Sequence, residues 1–195
     1  IGVRLVGSEM CIRDRYKEEM ERALKTPGIS GYQLLDLHDF PGQGTALVGL
    51  LDAFWDSKDI LPAAEFRQFS APVVPLLQFA KAVYTNNETF EASIDVSNYG
   101  QEVLKNQGIS WFLKDGGKII AQGHFQSTIG KGHQGNVGHL EIPLQTIGQA
   151  KKLTIQLKLE GTSYENHWNI WVYPQKVAVD FGEVSYTREL EEAMH

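Results

Sequence analysis

Hydrophobic and polar positions follow two periods along this chain, and the change of period divides it. Phe90, Ala92, Ile94 and Val96 alternate with Glu91, Ser93 and Asp95. Successive side chains of an extended strand point to opposite faces, so this pattern predicts a strand with one buried face. The same alternation sets Leu153, Ile155, Leu157 and Leu159 against Thr154, Gln156, Lys158 and Glu160. Further strands are predicted at Ala80 to Thr85, Ile109 to Leu113, Lys118 to His124, Val137 to Ile142 and His167 to Tyr173. Asn86-Asn87 and Asp115-Gly116-Gly117 supply turn chemistry between them, and Gly130 to Gly138 reads as a low-complexity loop. Short strands at this spacing over roughly a hundred residues predict an antiparallel sandwich of immunoglobulin-like architecture.

Before Phe79 the period is helical or irregular. Tyr16 to Thr26 is rich in Glu, Lys, Ala, Met and Leu, with Met20 and Leu24 four apart on one face, and Pro27-Gly28 ends it. Tyr32 to Leu37 is a predicted short strand, giving the αβ order of a parallel sheet or barrel. Pro41-Gly42-Gln43-Gly44 follows as a loop, and Pro62 suits the first turn of a helix through Glu65, Phe66 and Phe69 that Pro72 and Pro75 limit. The expected organisation is a leader over 1–15, a unit over 16–75, a sandwich over 76–176 and the start of a truncated further domain over 177–195. In that last stretch Val184 to Tyr186 reads as a strand and Glu189 to Met194 as a helix start.

Composition narrows the partners. A hydrophobic share of 42% with 22% charged residues is that of a globular chain, and a formal net charge of -6 gives no basic surface for a polyanion, so nucleic acid is not expected. No apolar run approaches the roughly 20 residues of a membrane-spanning helix. Arg4 to Arg15, reading RLVGSEMCIRDR, resembles the in-frame translation of a sequencing-library adapter, and its charges interrupt every apolar stripe, which predicts an unpacked leader. The single cysteine, Cys11, lies inside that string, so disulfides indicate no compartment.

Candidate chemistry concentrates in Gly31 to Lys58. On an extended strand Asp36, His38 and Phe40 share one side while Leu37 and Asp39 take the other. A strand end followed by the glycines around Gln43 is a place where barrel enzymes contact ligands, and Phe54 and Trp55 offer an aromatic platform for the C–H face of a sugar. The candidate substrate-binding set is therefore Asp36, His38, Asp39, Gln43 and Trp55. Asp36 and Asp39 do not make a retaining glycosidase pair: their backbones lie about 10 Å apart at strand rise and face opposite ways, against the ~5–5.5 Å that such carboxyls need. The same facing argument separates Asp39 from a metal site with the other two. Each residue also has a purely structural explanation: a turn cap for Asp36, a packed histidine for His38, an apolar contact for Trp55. No cofactor is implied, and His124, His133 and His139 read as exposed loop histidines.

The string GYQLLDLHDFPGQGTALVGLLDAFWDSK, with VYTNNETFEASIDVSNYG and NHWNIWVYP, resembles the barrel end and following sandwich of family 2 glycoside hydrolases of β-galactosidase-like kind. The resemblance implies a mainly β fragment, an immunoglobulin-like antiparallel β-sandwich preceded by a terminal βα remnant of a TIM barrel, from a retaining glycosidase. Its catalytic glutamates would lie upstream, so no catalytic residue is carried over and the chain alone would be inactive. Its partners would be a carbohydrate substrate and the remainder of the parent polypeptide, for which a periplasmic or secreted location is the expectation. The alternative function is a non-catalytic carbohydrate-binding or surface-interaction module built on the sandwich.

Overall fold

The computed structural model describes residues 6–35, 37–42 and 47–175, with side chains from residue 14 onward. Eight strands follow two helices, α1 (Val6–Lys25) and α2 (Ala63–Phe69): β1 (Val73–Phe79), β2 (Val83–Thr85), β3 (Thr89–Asn98), β4 (Leu104–Asp115), β5 (Lys118–Ile129), β6 (Gly132–Pro143), β7 (Lys151–Leu159) and β8 (Glu165–Tyr173). They form a three-stranded sheet in the order β1-β3-β6 and a five-stranded sheet in the order β2-β8-β7-β4-β5. Every pairing is antiparallel except that of β2 with β8. The chain thus starts in one sheet and steps across as β2 to lie parallel to the last strand of the other, an immunoglobulin-like topology. The alternation read from the sequence holds: Phe90, Ile94 and Leu140 meet Leu113, Ile155, Leu157 and Ile170 in one buried cluster.

Four elements depart from the sequence reading. The pattern missed β1, because Val73 to Leu77 are buried on both faces and show no alternation. Val73 and Leu77 enter the sandwich core, whereas Val74 and Leu76 pack beneath Leu24 of α1. Pro75 is tolerated because β1 is an edge strand, where a missing N–H breaks no ladder. The stretch Gly130 to Gly138 is mostly strand, with a register shift opposite Ile94/Val96 and Asn136 at φ 54°. Gly138 is set by packing: a Cβ there would lie 2.2 Å from the ring of Phe125, which bridges the two sheets.

The strand expected at Tyr32 to Leu37 does not form; residues 31–35 have no regular structure, and no neighbouring strand offers them a ladder. Instead Leu34 and Leu37 settle against Met20, Leu50, Leu61 and Phe69, while Leu35 remains 81% exposed. Helix α1 begins at Val6 rather than near Tyr16, so the helical backbone runs through the string expected to be an unpacked leader. Once nucleated over Tyr16 to Lys25, extension needs only one further bond per residue. The strand and helix expected beyond Val184 lie outside the described residues, as does Arg4.

A buried polar knot docks α1 on the sandwich. Glu21 accepts hydrogen bonds from Asn166 Nδ2 at 2.9 Å and from Trp168 Nε1 at 2.8 Å, and pairs with Lys25 at 3.2 Å. Asn166 also donates to the Pro75 carbonyl at 3.0 Å and accepts from Lys17 Nζ at 2.9 Å. One asparagine therefore connects β8, β1 and α1. Burial holds the Lys17 ammonium below its usual pKa, against the raising effect of Glu21. No helix among the described residues is long and apolar enough to cross a membrane.

Candidate functional site

Residues 37–42 and 47–58 lie against one another, held by a set of backbone and side-chain hydrogen bonds. Asp39 N–H donates to the Leu51 carbonyl at 3.0 Å, and Leu50 and Leu51 both donate to the Leu37 carbonyl, at 3.0 and 3.1 Å. Gly49 passes so close to the His38–Asp39 backbone that a Cβ would sit 2.4 Å from the His38 carbonyl carbon. Only glycine allows that crossing. The Asp39 carboxylate turns inward and accepts from Gly49 N–H at 3.0 Å and from Lys58 Nζ at 2.8 Å. Lys58 in turn donates to the carbonyls of Leu47 and Gly49, at 3.2 and 3.0 Å. Asp39 is thus the internal tie of the loop and not a ligand-facing group.

A second carboxylate shapes the tip. Asp52 Oδ1 accepts from the backbone N–H of Phe54 at 2.8 Å and of Asp56 at 2.9 Å, while Trp55 N–H returns to the Asp52 carbonyl at 3.1 Å. This Asx-type turn carries Trp55 at φ 71°, a conformation that L residues seldom adopt. The turn aims the Trp55 ring back onto His38, with centroids 4.4 Å apart and planes 42° apart. Trp55 is 60% exposed, Phe54 84% and Phe40 48%. His38 Nδ1 lies 2.6 Å from the Asp39 carbonyl oxygen, so that nitrogen carries the proton and Nε2 is left as an acceptor in the neutral ring.

The structure therefore brings together two of the five sequence-expected residues, His38 and Trp55, and turns Asp39 away. Asp36 and Gln43 lie outside the described residues. Lys58, Asp52 and Gly49, which build the shelf, were not foreseen; the sole hint was the density of Asp and Gly in one short string.

Two further polar clusters stand apart from this shelf. A groove of 680 Å³ where α1 and α2 meet the sandwich runs past Lys17, Glu21, Phe79, Trp168 and Trp171. On the outer face of the three-stranded sheet the buried Asp95 accepts from Asn136 N–H at 2.8 Å, from Gln78 Nε2, and meets His133 Nε2 at 3.3 Å. His133 is thus a half-buried strand residue, not an exposed loop histidine, whereas His124 and His139 are exposed on strands β5 and β6. Among the described residues no group of three or more His, Cys, Asp or Glu could hold a metal ion.

Residues 88–174, most of the sandwich, match the family described as a domain of unknown function, DUF8488. That match overturns the resemblance to family 2 glycoside hydrolases, since the sandwich strings that carried it fall largely within this other family. No curated protein matches the chain by sequence. Among solved structures, the CARDB domain of the PF1109 protein from Pyrococcus furiosus is similar over 53% of this chain and 94% of its own, at 12% identity and a TM-score of 0.40. The β-glucosidase EmGH1 from Erythrobacter marinus is similar over 62% of this chain but 18% of its own, at 13% identity and a TM-score of 0.40. The β-glucuronidase of Parabacteroides merdae is similar over 52% of this chain and 14% of its own, at 10% identity and a TM-score of 0.35. Overlaps this slight carry no activity across.

Proposed function

We propose that this chain is a non-catalytic β-sandwich module that binds carbohydrate at the shelf formed by Trp55 and His38. The observation that supports it is Trp55: a large aromatic ring held at φ 71°, backed by His38 and mostly open to solvent. Strained backbone and an exposed tryptophan both oppose stability, so their coincidence on a turn tied by Asp52 and Asp39 favours a role outside folding. An indole face takes the C–H face of a pyranose ring, and His38 Nε2, the nitrogen turned away from the Asp39 carbonyl, accepts from a sugar hydroxyl beside it.

The non-catalytic part of the reading is supported by what two carboxylates of the shelf among the described residues already do. Asp39 is committed to Lys58 and the Gly49 N–H, and Asp52 to two backbone N–H groups. Neither is placed to protonate a leaving group or attack a sugar. Isothermal titration with neutral oligosaccharides tests the proposal. Binding at submillimolar to millimolar Kd, lost at least tenfold in Trp55→Ala while the melting curve is kept, is the expected result. Affinity unchanged by Trp55→Ala, or no binding to any oligosaccharide at millimolar concentration, would refute it.

A further inference from the structure

Sandwich edges are places where another chain can add a strand, and folded proteins blunt them by shortness, cover, bulges, proline or charge. Among the described residues, three of the four sheet edges are blunted. Strand β1 carries Pro75, and α1 lies over it through Leu24. Strand β2 has three residues. Strand β6 breaks register opposite Ile94/Val96, holds Asn136 at positive φ and ends in Glu141 and Pro143.

The fourth edge is β5, and it has few of these devices. From Ile119 to Ile129 it contains no Asp, Glu, Lys, Arg or Pro. Its pairing with β4 runs without a break from Ala121 to Ser127, and Gln122, His124 and Gln126 are exposed along it. Beside the edge, Phe125 and Val137 fill the gap between the sheets only partly buried, an apolar seam next to unpaired backbone groups.

We infer that β5 is the pairing edge for a second copy of this chain, joining two five-stranded sheets antiparallel across a two-fold axis. Charge and area argue for that occupant. A chain of net charge -6 is repelled on balance by its own copy, and the run Ile119 to Ile129, with no Asp, Glu, Lys or Arg, lets two copies meet without like charges along the paired strands. At about 3.4 Å per residue the unbroken run spans ~24 Å, and a sandwich two sheets thick is ~20 Å across with its side chains, which gives about 1,000 Å² in total from both partners. That is the lower end for a specific interface, so the dimer should be weak and concentration-dependent.

Sedimentation equilibrium from micromolar to millimolar protein tests this. The mass should rise from 21.8 kDa toward twice that value. Gln122→Lys with Gln126→Lys places lysines opposite or diagonal to one another in any two-fold pairing and should raise the dissociation constant at least tenfold without shifting the melting curve. A mass of one chain up to millimolar concentration would overturn the inference. So would a dimer indifferent to the two lysines, which would use another surface, or an edge that takes up a foreign strand peptide while the chain stays monomeric.

Discussion

Replacing Glu21 by alanine should release α1 from the sandwich. In the folded chain this buried carboxylate satisfies the Asn166 amide and the Trp168 indole N–H, and Lys17 and Lys25 lie beside it at 3.7 and 3.2 Å. Removing it leaves two buried donors without an acceptor, at about 1–3 kcal/mol each, and a buried ammonium without its counter-charge. A total of about 3–5 kcal/mol is expected if α1 stays in place. The loss cannot exceed the free energy that docks the helix, because beyond that point α1 lifts off and Lys17 returns to water. Urea unfolding should therefore show a lower midpoint, and hydrogen exchange should show lost protection over Lys17 to Lys25 with β7 unchanged. Glu19→Ala, on the exposed face of the same helix, is the control and should stay within about 0.5 kcal/mol of the parent. An unchanged midpoint with α1 still protected in Glu21→Ala would refute the reasoning.

Gly138→Ala should destabilise by about 1–3 kcal/mol in thermal or urea unfolding, because its Cβ meets the Phe125 ring at 2.2 Å. Gly148→Ala, with nothing within 4 Å, should be neutral or stabilise by about 0.4–1 kcal/mol, and equal effects at the two sites would contradict the packing account. Glu88 is held down to about 2 by hydrogen bonding to Lys81 first, then to the Thr85 backbone and hydroxyl. A carboxylate with a depressed folded pKa contributes stability above its unfolded pKa and loses it as pH falls, so the deficit of Glu88→Gln should be full near neutrality and fade between about pH 4.5 and 2. A deficit independent of pH would count against that ion pair. Amide exchange should be slow over Phe90 to Val96 and Leu153 to Leu159 and fast over residues 31–35, and strong protection in all three would mean that the 31–35 backbone is paired.

The sandwich was legible where one strand face meets water. Phe90 to Val96 and Leu153 to Leu159 alternate because Glu91 or Lys158 is solvated while its neighbours are buried. Strand β1 was illegible for the converse reason, since α1 covers its outer face and the period vanishes. Gly130 to Gly138 reads as a loop by composition, but Gly138 is there to admit Phe125, a contact between β5 and β6 that local pattern does not encode. Glu21 looks like one more acid on a solvated helix; its partners Asn166 and Trp168 are 145 and 147 positions away. At the shelf, the ion pair that commits Asp39 depends on Lys58, 19 positions away and brought near by the crossing at Gly49, which local pattern does not encode.

The most direct test of carbohydrate binding at the shelf is the indole N–H signal of Trp55 in an amide correlation spectrum, followed as neutral oligosaccharide is added. Trp111, Trp168 and Trp171 provide internal references on the sandwich, and Trp168 is hydrogen-bonded to Glu21. The account predicts a saturable shift of the Trp55 indole and of the His38 ring, with the Trp168 signal fixed. Saturable shifts confined to Trp171 and the groove beside it, or a Trp55 signal that stays fixed at millimolar ligand, would contradict it.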